Sequence, residues 1–186
     1  MKKTVFVAAV GLCAGMAAAQ TIDFEDGFEG MPVTDQYAAQ GVVFSSLPSG
    51  PASINSFLSF FGSLSLSNAT AGGAAGDRTA GVAMDFPTPI SEIQLDWNSA
   101  GDPGLDFPVR FFSGGSLVRS ELLDASAAGG LDWTRDITYS DLPRVDRIEI
   151  DTATPGWLYA IDNIDVTQVP APASLALVGL GGLMVT

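Results

Sequence analysis

Whatever chemistry this chain performs must rest on carboxylates and aromatic rings. It carries 21 acidic side chains and no histidine, which removes the Ser-His-Asp triad, the Cys-His dyad and the imidazole metal ligand together. Its two lysines, Lys2 and Lys3, and its single cysteine, Cys13, all fall in the first 13 residues. One catalytic route survives, the carboxylate pair of glycoside hydrolysis. With so many acids some pair falls at a suitable separation by chance, and nothing in the sequence marks one carboxyl as buried with a raised pKa. The glycine-rich Gly72-Gly73-Ala74-Ala75-Gly76-Asp77 lacks the Lys-Ser/Thr that a phosphate loop requires. The chain therefore reads as a non-enzyme, with a carboxylate-dependent glycoside hydrolase as the lesser alternative.

Binding is the chemistry that remains. A formal net charge of −13 opposes contact with a polyanion, so nucleic acid is excluded as a partner. Sugar rings stack on exposed aromatic faces, and the available platforms are Trp97, Trp133, Trp157, Tyr37, Tyr139 and Tyr159. Trp97 lies in phase with Ile93 and Leu95 and reads as core. Trp133 sits beside Asp132 and Thr134-Arg135-Asp136, and Trp157 follows the Pro155-Gly156 turn. With Tyr37 they form the candidate ligand-binding set.

These residues need a frame, and the sequence describes one of short strands. Alternation is clearest in Ile93-Gln94-Leu95-Asp96-Trp97, Val82-Ala83-Met84-Asp85-Phe86 and Ile148-Glu149-Ile150-Asp151. Further strands are expected at 21–25, 41–45, 57–67, 108–113, 117–123, 131–139 and 157–166. Turns fall at Leu47–Pro51, Gly101–Gly104, Gly114-Gly115, Gly129-Gly130 and Thr154–Gly156. About ten strands at this spacing predict an all-β fold, an antiparallel sandwich. Residues 69–80, rich in Ala and Gly, read as a long loop.

Both ends differ from this middle. Met1-Lys2-Lys3, an apolar run from Val5 to Met16 and Ala17-Ala18-Ala19 have the three parts of a secretory signal peptide, with cleavage expected after Ala19. The run is too short to span a bilayer. Leu12 before Cys13 argues against lipidation. Cleavage leaves six arginines against 21 acids, a net charge of −15, with no lysine or thiol for Schiff-base, Ser-Lys or disulfide chemistry. The expected organisation is a signal peptide with a helical apolar segment over 1–19, a sandwich domain over 20–168 and a tail with a short apolar helix over 169–186.

That tail, Val169-Pro170-Ala171-Pro172-Ala173-Ser174-Leu175-Ala176-Leu177 and onward through Gly179-Leu180-Gly181-Gly182-Leu183, resembles the PEP-CTERM sorting signal of exported bacterial proteins. In that family a Pro-Glu-Pro-like motif, here matched by Pro170-Ala171-Pro172, precedes a transmembrane helix and an arginine cluster, and the sequence ends at Thr186 without the cluster. The resemblance implies processing by an exosortase-type membrane protease, transient membrane association through the tail, and residence at the bacterial cell envelope or in the medium.

A second resemblance lies in the domain itself. Thr21-Ile22-Asp23-Phe24-Glu25, Tyr37 to Phe44 and Tyr159-Ala160-Ile161-Asp162-Asn163-Ile164-Asp165-Val166 are similar to secreted jelly-roll domains related to galactose-binding-like and carbohydrate-binding modules. The resemblance implies that the first and last strands lie side by side. It also implies a structural calcium ion held by Glu25 and Asp162, with Asp23 and, more weakly, Asp165 beside them, since Ca²⁺ takes hard oxygen ligands. The function implied is a non-catalytic role in extracellular matrix or exopolysaccharide interaction. A purely structural surface protein without glycan binding is the alternative.

Overall fold

Alternation decides which face of each strand is buried, and in this chain it builds two packed layers. The computed structural model describes residues 21–47, 52–55, 64–67, 81–100, 106–124, 134–151 and 158–169. The strands are β1 (Val43–Leu47), β2 (Ser53–Asn55), β3 (Ser65–Ser67), β4 (Gly81–Ala100), β5 (Asp106–Ser113), β6 (Ser116–Asp124), β7 (Thr134–Tyr139), β8 (Val145–Ile150) and β9 (Leu158–Gln168). Every pairing between them is antiparallel.

The 20-residue β4 belongs to both layers. Its first half pairs with β1 on one side and β8 on the other, and β8 continues the first layer to β5 and then β6. Its second half pairs with β7 and β9, and β9 continues the second layer to β3 and β2. The sequence suggests two strands here, Val82–Phe86 and Ile93–Trp97, and the structure joins them. The partners change around Pro87-Thr88-Pro89, where two residues have no N–H to give to a ladder. Register shifts at Asp85/Ile90, Ile90/Glu92 and Gln94/Asp96 bend the strand from one layer into the other.

Inward-facing side chains fill the space between the layers. From the first come Val82, Met84, Phe107, Val109, Phe111, Ile148 and Ile150, and from the second Ile54, Leu66, Ile93, Leu95, Trp97, Ile161 and Ile164. The Trp97 ring lies 5.0 Å from both Phe107 and Tyr159, so β4, β5 and β9 lock together through aromatic contacts across the core. Tyr159 adds a polar tie between the layers. Its hydroxyl donates to Ile150 O at 2.7 Å and accepts from Val82 N at 2.8 Å. Burial raises this phenol well above its usual pKa, which keeps the donating proton in place.

Two expectations need correction. Residues 21–25 do not form a strand: Ile22 makes a single antiparallel bridge to Ile164, and Phe24 then turns into the left-handed region at φ 57°, burying its ring against Tyr37 and Phe44. The first described residues do lie beside β9, as the jelly-roll resemblance implies of the first and last strands, but through one bridge. The short β2 strand is absent from the sequence reading because three residues leave no detectable alternation. Gly114 and Gly115, at φ 55° and 77°, make the tight β5–β6 hairpin expected of that pair. The expected signal peptide and the tail from Pro170 onward, with the helices expected in them, lie outside the described residues. No helix among the described residues is long and apolar enough to cross a membrane.

Candidate functional site

Two surfaces gather polar side chains. The first lies where residues 21–25 run beside β9. The β4–β9 register sets Asp96 directly opposite Asp162, and both are nearly sealed from solvent, at 5% and 6% exposure. Asn163, left-handed at φ 48° and beside the register shift, ties them together. Its backbone N–H donates to Asp162 Oδ1 at 2.8 Å and its Nδ2 donates to Asp96 Oδ2 at 2.9 Å. Thr21 Oγ1 donates to Asp165 Oδ1 at 2.7 Å, which fastens the incoming segment to β9. Asp23 Oδ1 accepts from Glu25 N at 3.2 Å, and Glu25 Oε1 accepts from Leu64 N at 2.6 Å.

Electrostatics single out one member of this group. Burial pushes the Asp162 carboxyl up, the Asn163 N–H partly offsets it, and the charges of Asp96, Glu25 and Asp23 push it further, to about 7. The fold thus brings the expected Asp23, Glu25 and Asp162 into electrostatic reach and adds Asp96, which the sequence places only on the face opposite Trp97. No sequence signal pairs Asp96 with Asp162; that needs the β4–β9 register. Among the described residues no three acidic side chains are arranged to hold a metal ion. Asp162 is also the buried, shifted carboxyl that the sequence could not mark. Its partner Asp96 shares one asparagine with it, and both are shielded, whereas glycosidase carboxyls flank a bound sugar.

The aromatic candidates fare differently. Tyr37 offers no platform: it is 2% exposed, its ring packs edge-on against Phe24 and Phe44, and its hydroxyl donates to Asp26 Oδ1 at 2.6 Å. The sequence missed this because the apolar wall it joins is assembled from Phe24 and β1. Trp97 is core, as its phase predicts, and Tyr139 and Tyr159 are buried as well. Trp133 and Trp157 lie outside the described residues, as do the sorting residues Pro170, Ala171 and Pro172.

The second surface is the outward face of the first layer. Strand alternation turns Ser45, Asp85, Arg147, Glu149 and Arg110 away from the core, and the registers align them across β1, β4, β8 and β5. Arg147 Nη1 reaches Asp85 Oδ1 and Oδ2 at 2.7 and 2.9 Å, and Arg147 Nε reaches Glu149 Oε1 at 2.9 Å. Arg110 Nη2 lies 3.3 Å from Glu149 Oε2 and 2.7 Å from Asp151 Oδ2. Ser45 Oγ donates to Asp85 Oδ2 at 3.5 Å. Burial lowers the Arg147 pKa, and its hydrogen bonds to Asp85 and Glu149 more than reverse this, so it stays fully charged.

This row is partly open to solvent, with the central Glu149 side chain at 15% exposure. The two guanidinium side chains are about a third exposed, and the Asp85 and Asp151 side chains slightly more. Arg110 Nε has no hydrogen-bond partner among the described residues. The row ends at exposed Val118 and Leu122 on β6. In the sequence these residues are ordinary strand polar positions, and only the register of β4, β8 and β5 turns them into a row.

No family model matches this chain, and no curated protein does. Among solved structures it is similar to the CBM22-1 xylan-binding domain of Xyn10C from Paenibacillus barcinonensis, at 14% identity over 82% of this chain and 95% of that one, with a TM-score of 0.45. It is similar also to the K1 cleaved adhesin domain of Lys-gingipain from Porphyromonas gingivalis W83, at 13% identity over 83% and 100% of the two chains, with a TM-score of 0.47. A mutant of the family 29 carbohydrate-binding module CBM29-2 gives 14% identity over 81% and 92%, with a TM-score of 0.45. At such identities no residue of those domains maps onto a residue here, and function is read from this chain's own surfaces.

Proposed function

We propose that this chain is an exported, non-catalytic β-sandwich that holds a neutral extracellular polysaccharide on the outward face of its first layer. The observation that carries the reading is the half-exposed row Asp85–Arg147–Glu149–Arg110–Asp151. Guanidinium and carboxylate groups alternate there, so donors and acceptors stand side by side at the spacing of the strands. Adjacent sugar hydroxyls each donate and accept, and charge-assisted hydrogen bonds to such groups are the stronger kind. Val118 and Leu122 at the rim suit the C–H faces of a sugar ring. With three acids against two arginines the row carries a net negative charge, which favours a neutral chain over an anionic one.

The address of the protein belongs to the same reading. Residues 1–19 direct export, and the tail from Val169 is a substrate for an exosortase-type enzyme that leaves the domain at the envelope or in the medium. A non-catalytic role agrees with the missing histidine and with Asp96 and Asp162 being joined and shielded by their own fold. The experiment is a glycan array of neutral and anionic polysaccharides. Binding confined to neutral polymers and insensitive to chelator supports the proposal. An array with no bound glycan supports the purely structural alternative, and release of shortened sugars from any polymer supports the hydrolase.

A further inference from the structure

Strand β6 forms one end of the first layer, and β5 is its only strand partner among the described residues. It is long for an edge, nine residues, and exposes Leu117, Val118 and Leu122 at 54%, 41% and 60%. Natural edges are usually blunted by lysine, proline, a bulge or an inward charge, and of these β6 has a single bulge at Val118 and the charges of Arg119 and Glu121. Here the sequence Ser116-Leu117-Val118-Arg119-Ser120-Glu121-Leu122-Leu123-Asp124 has no lysine and no proline. Its charged pair, Arg119 and Glu121, is already joined in an ion pair, so neither stands as a lone charge against a partner.

The pattern about Ser120 is self-complementary. An antiparallel copy placed on a two-fold axis through Ser120 sets Arg119 against Glu121 and Val118 against Leu122, each twice. Opposite charges meet, and apolar side chains meet on the outward face, where both are already exposed. The backbone is turned the right way for this. Pro108 O accepts from Asp151 N at 2.9 Å, so Pro108 directs its backbone toward β8. Leu122, its register partner on β6, then makes no ladder bond to it. By the alternation of an antiparallel ladder, the N–H and C=O of Leu122 and Ser120 point out of the open edge. Val118 stands opposite no β5 residue, at the register shift between Phe111 and Phe112. The bulge marks the outer limit of the edge and confines the pairing to residues 118–122.

We infer that β6 is a homotypic interface: two copies of this chain pair edge to edge through Ser120, with Arg119 of each facing Glu121 of the other. The resulting contact is isologous and closes on itself, so it stops at the dimer. It joins the two first layers into one continuous sheet and places both Arg110–Arg147 rows on the same side. A polymer chain lying along that side meets two sites at once, which raises retention without a new contact.

The test is sedimentation of the full chain as concentration rises into the hundreds of micromolar. The wild type is expected to move from monomer to dimer. Leu122→Lys, at an exposed position, should weaken association at least tenfold while leaving the melting temperature unchanged. Arg119→Glu and Glu121→Arg each set like charges opposite one another and should be monomeric alone. Mixed together they restore both opposite-charge pairs and should form a heterodimer. A wild type that stays monomeric throughout would overturn the inference. So would a dimer that persists unchanged in Leu122→Lys, or charge variants that fail to pair when mixed although each is folded.

Discussion

Replacing Asp162 with asparagine should stabilise the domain at alkaline pH and do little in acid. The native carboxyl titrates near 7 because it is buried beside Asp96, Glu25 and Asp23, whereas the unfolded chain releases the same proton near 3.8. Between those values the native state binds more protons than the unfolded one, so stability falls as pH rises. Above about pH 7 the charged, buried group costs its full displacement, about 4 kcal/mol at 1.36 kcal/mol for each tenfold change. For a domain of this size that is about 10 °C in melting temperature. The amide that replaces the carboxyl keeps an oxygen to accept the Asn163 N–H while shedding the charge. Thermal melts of wild type and Asp162→Asn, in chelator, at about pH 5 and about pH 8, read the difference directly. The variant should gain about 4 kcal/mol over wild type at the higher pH and under about 2 kcal/mol at the lower, where pH has passed the unfolded-state value but not the native one. An equal gain at both pH values would mean packing rather than charge. A wild type whose stability rises between them would rule out a buried, proton-holding Asp162 altogether.

Other consequences are simpler to read. Tyr159→Phe leaves the Val82 N–H and the Ile150 carbonyl without the hydroxyl between them in a buried site, and should cost about 2–4 kcal/mol in denaturant melts. A loss under about 1 kcal/mol would show that the two strands close the gap unaided. Because no three acidic side chains among the described residues converge as metal ligands, millimolar Ca²⁺ should shift the melting temperature no more than Mg²⁺ does. A rise specific to Ca²⁺ and lost in Asp162→Asn would instead bear out the ion that the jelly-roll resemblance implies.

The all-β architecture was legible because alternation in Val82–Phe86, Ile93–Trp97 and Ile148–Ile150 is a local property that burial then obeys. Trp97 came out as core for the same reason. What escaped the sequence depends on register, which is non-local. Asp96 meets Asp162 only because β4 crosses from one layer to the other after Pro87 and Pro89 and then pairs with β9. The arginine–carboxylate row needs β4, β8 and β5 in register before it exists at all. Tyr37 fails as a platform because Phe24 and Phe44, distant along the chain from its polar neighbours, enclose its ring. Glu25 and Asp23 come within electrostatic reach of Asp162, by a single bridge at Ile22 in place of a strand.

If the Arg110–Arg147 row holds the polysaccharide, removing its guanidinium groups must release the polymer without unfolding the domain. Affinity electrophoresis through gels containing a bound neutral polysaccharide compares wild type with Arg110→Ala, Arg147→Ala and the double variant. Half-exposed ion pairs contribute little to folding, so all three should melt within about 1 kcal/mol of wild type. Each single loss of a charge-assisted hydrogen bond should weaken retention about tenfold, and the double should migrate as though the gel were empty. Retention that is unchanged in the folded double variant would contradict the assignment of the polysaccharide to this row.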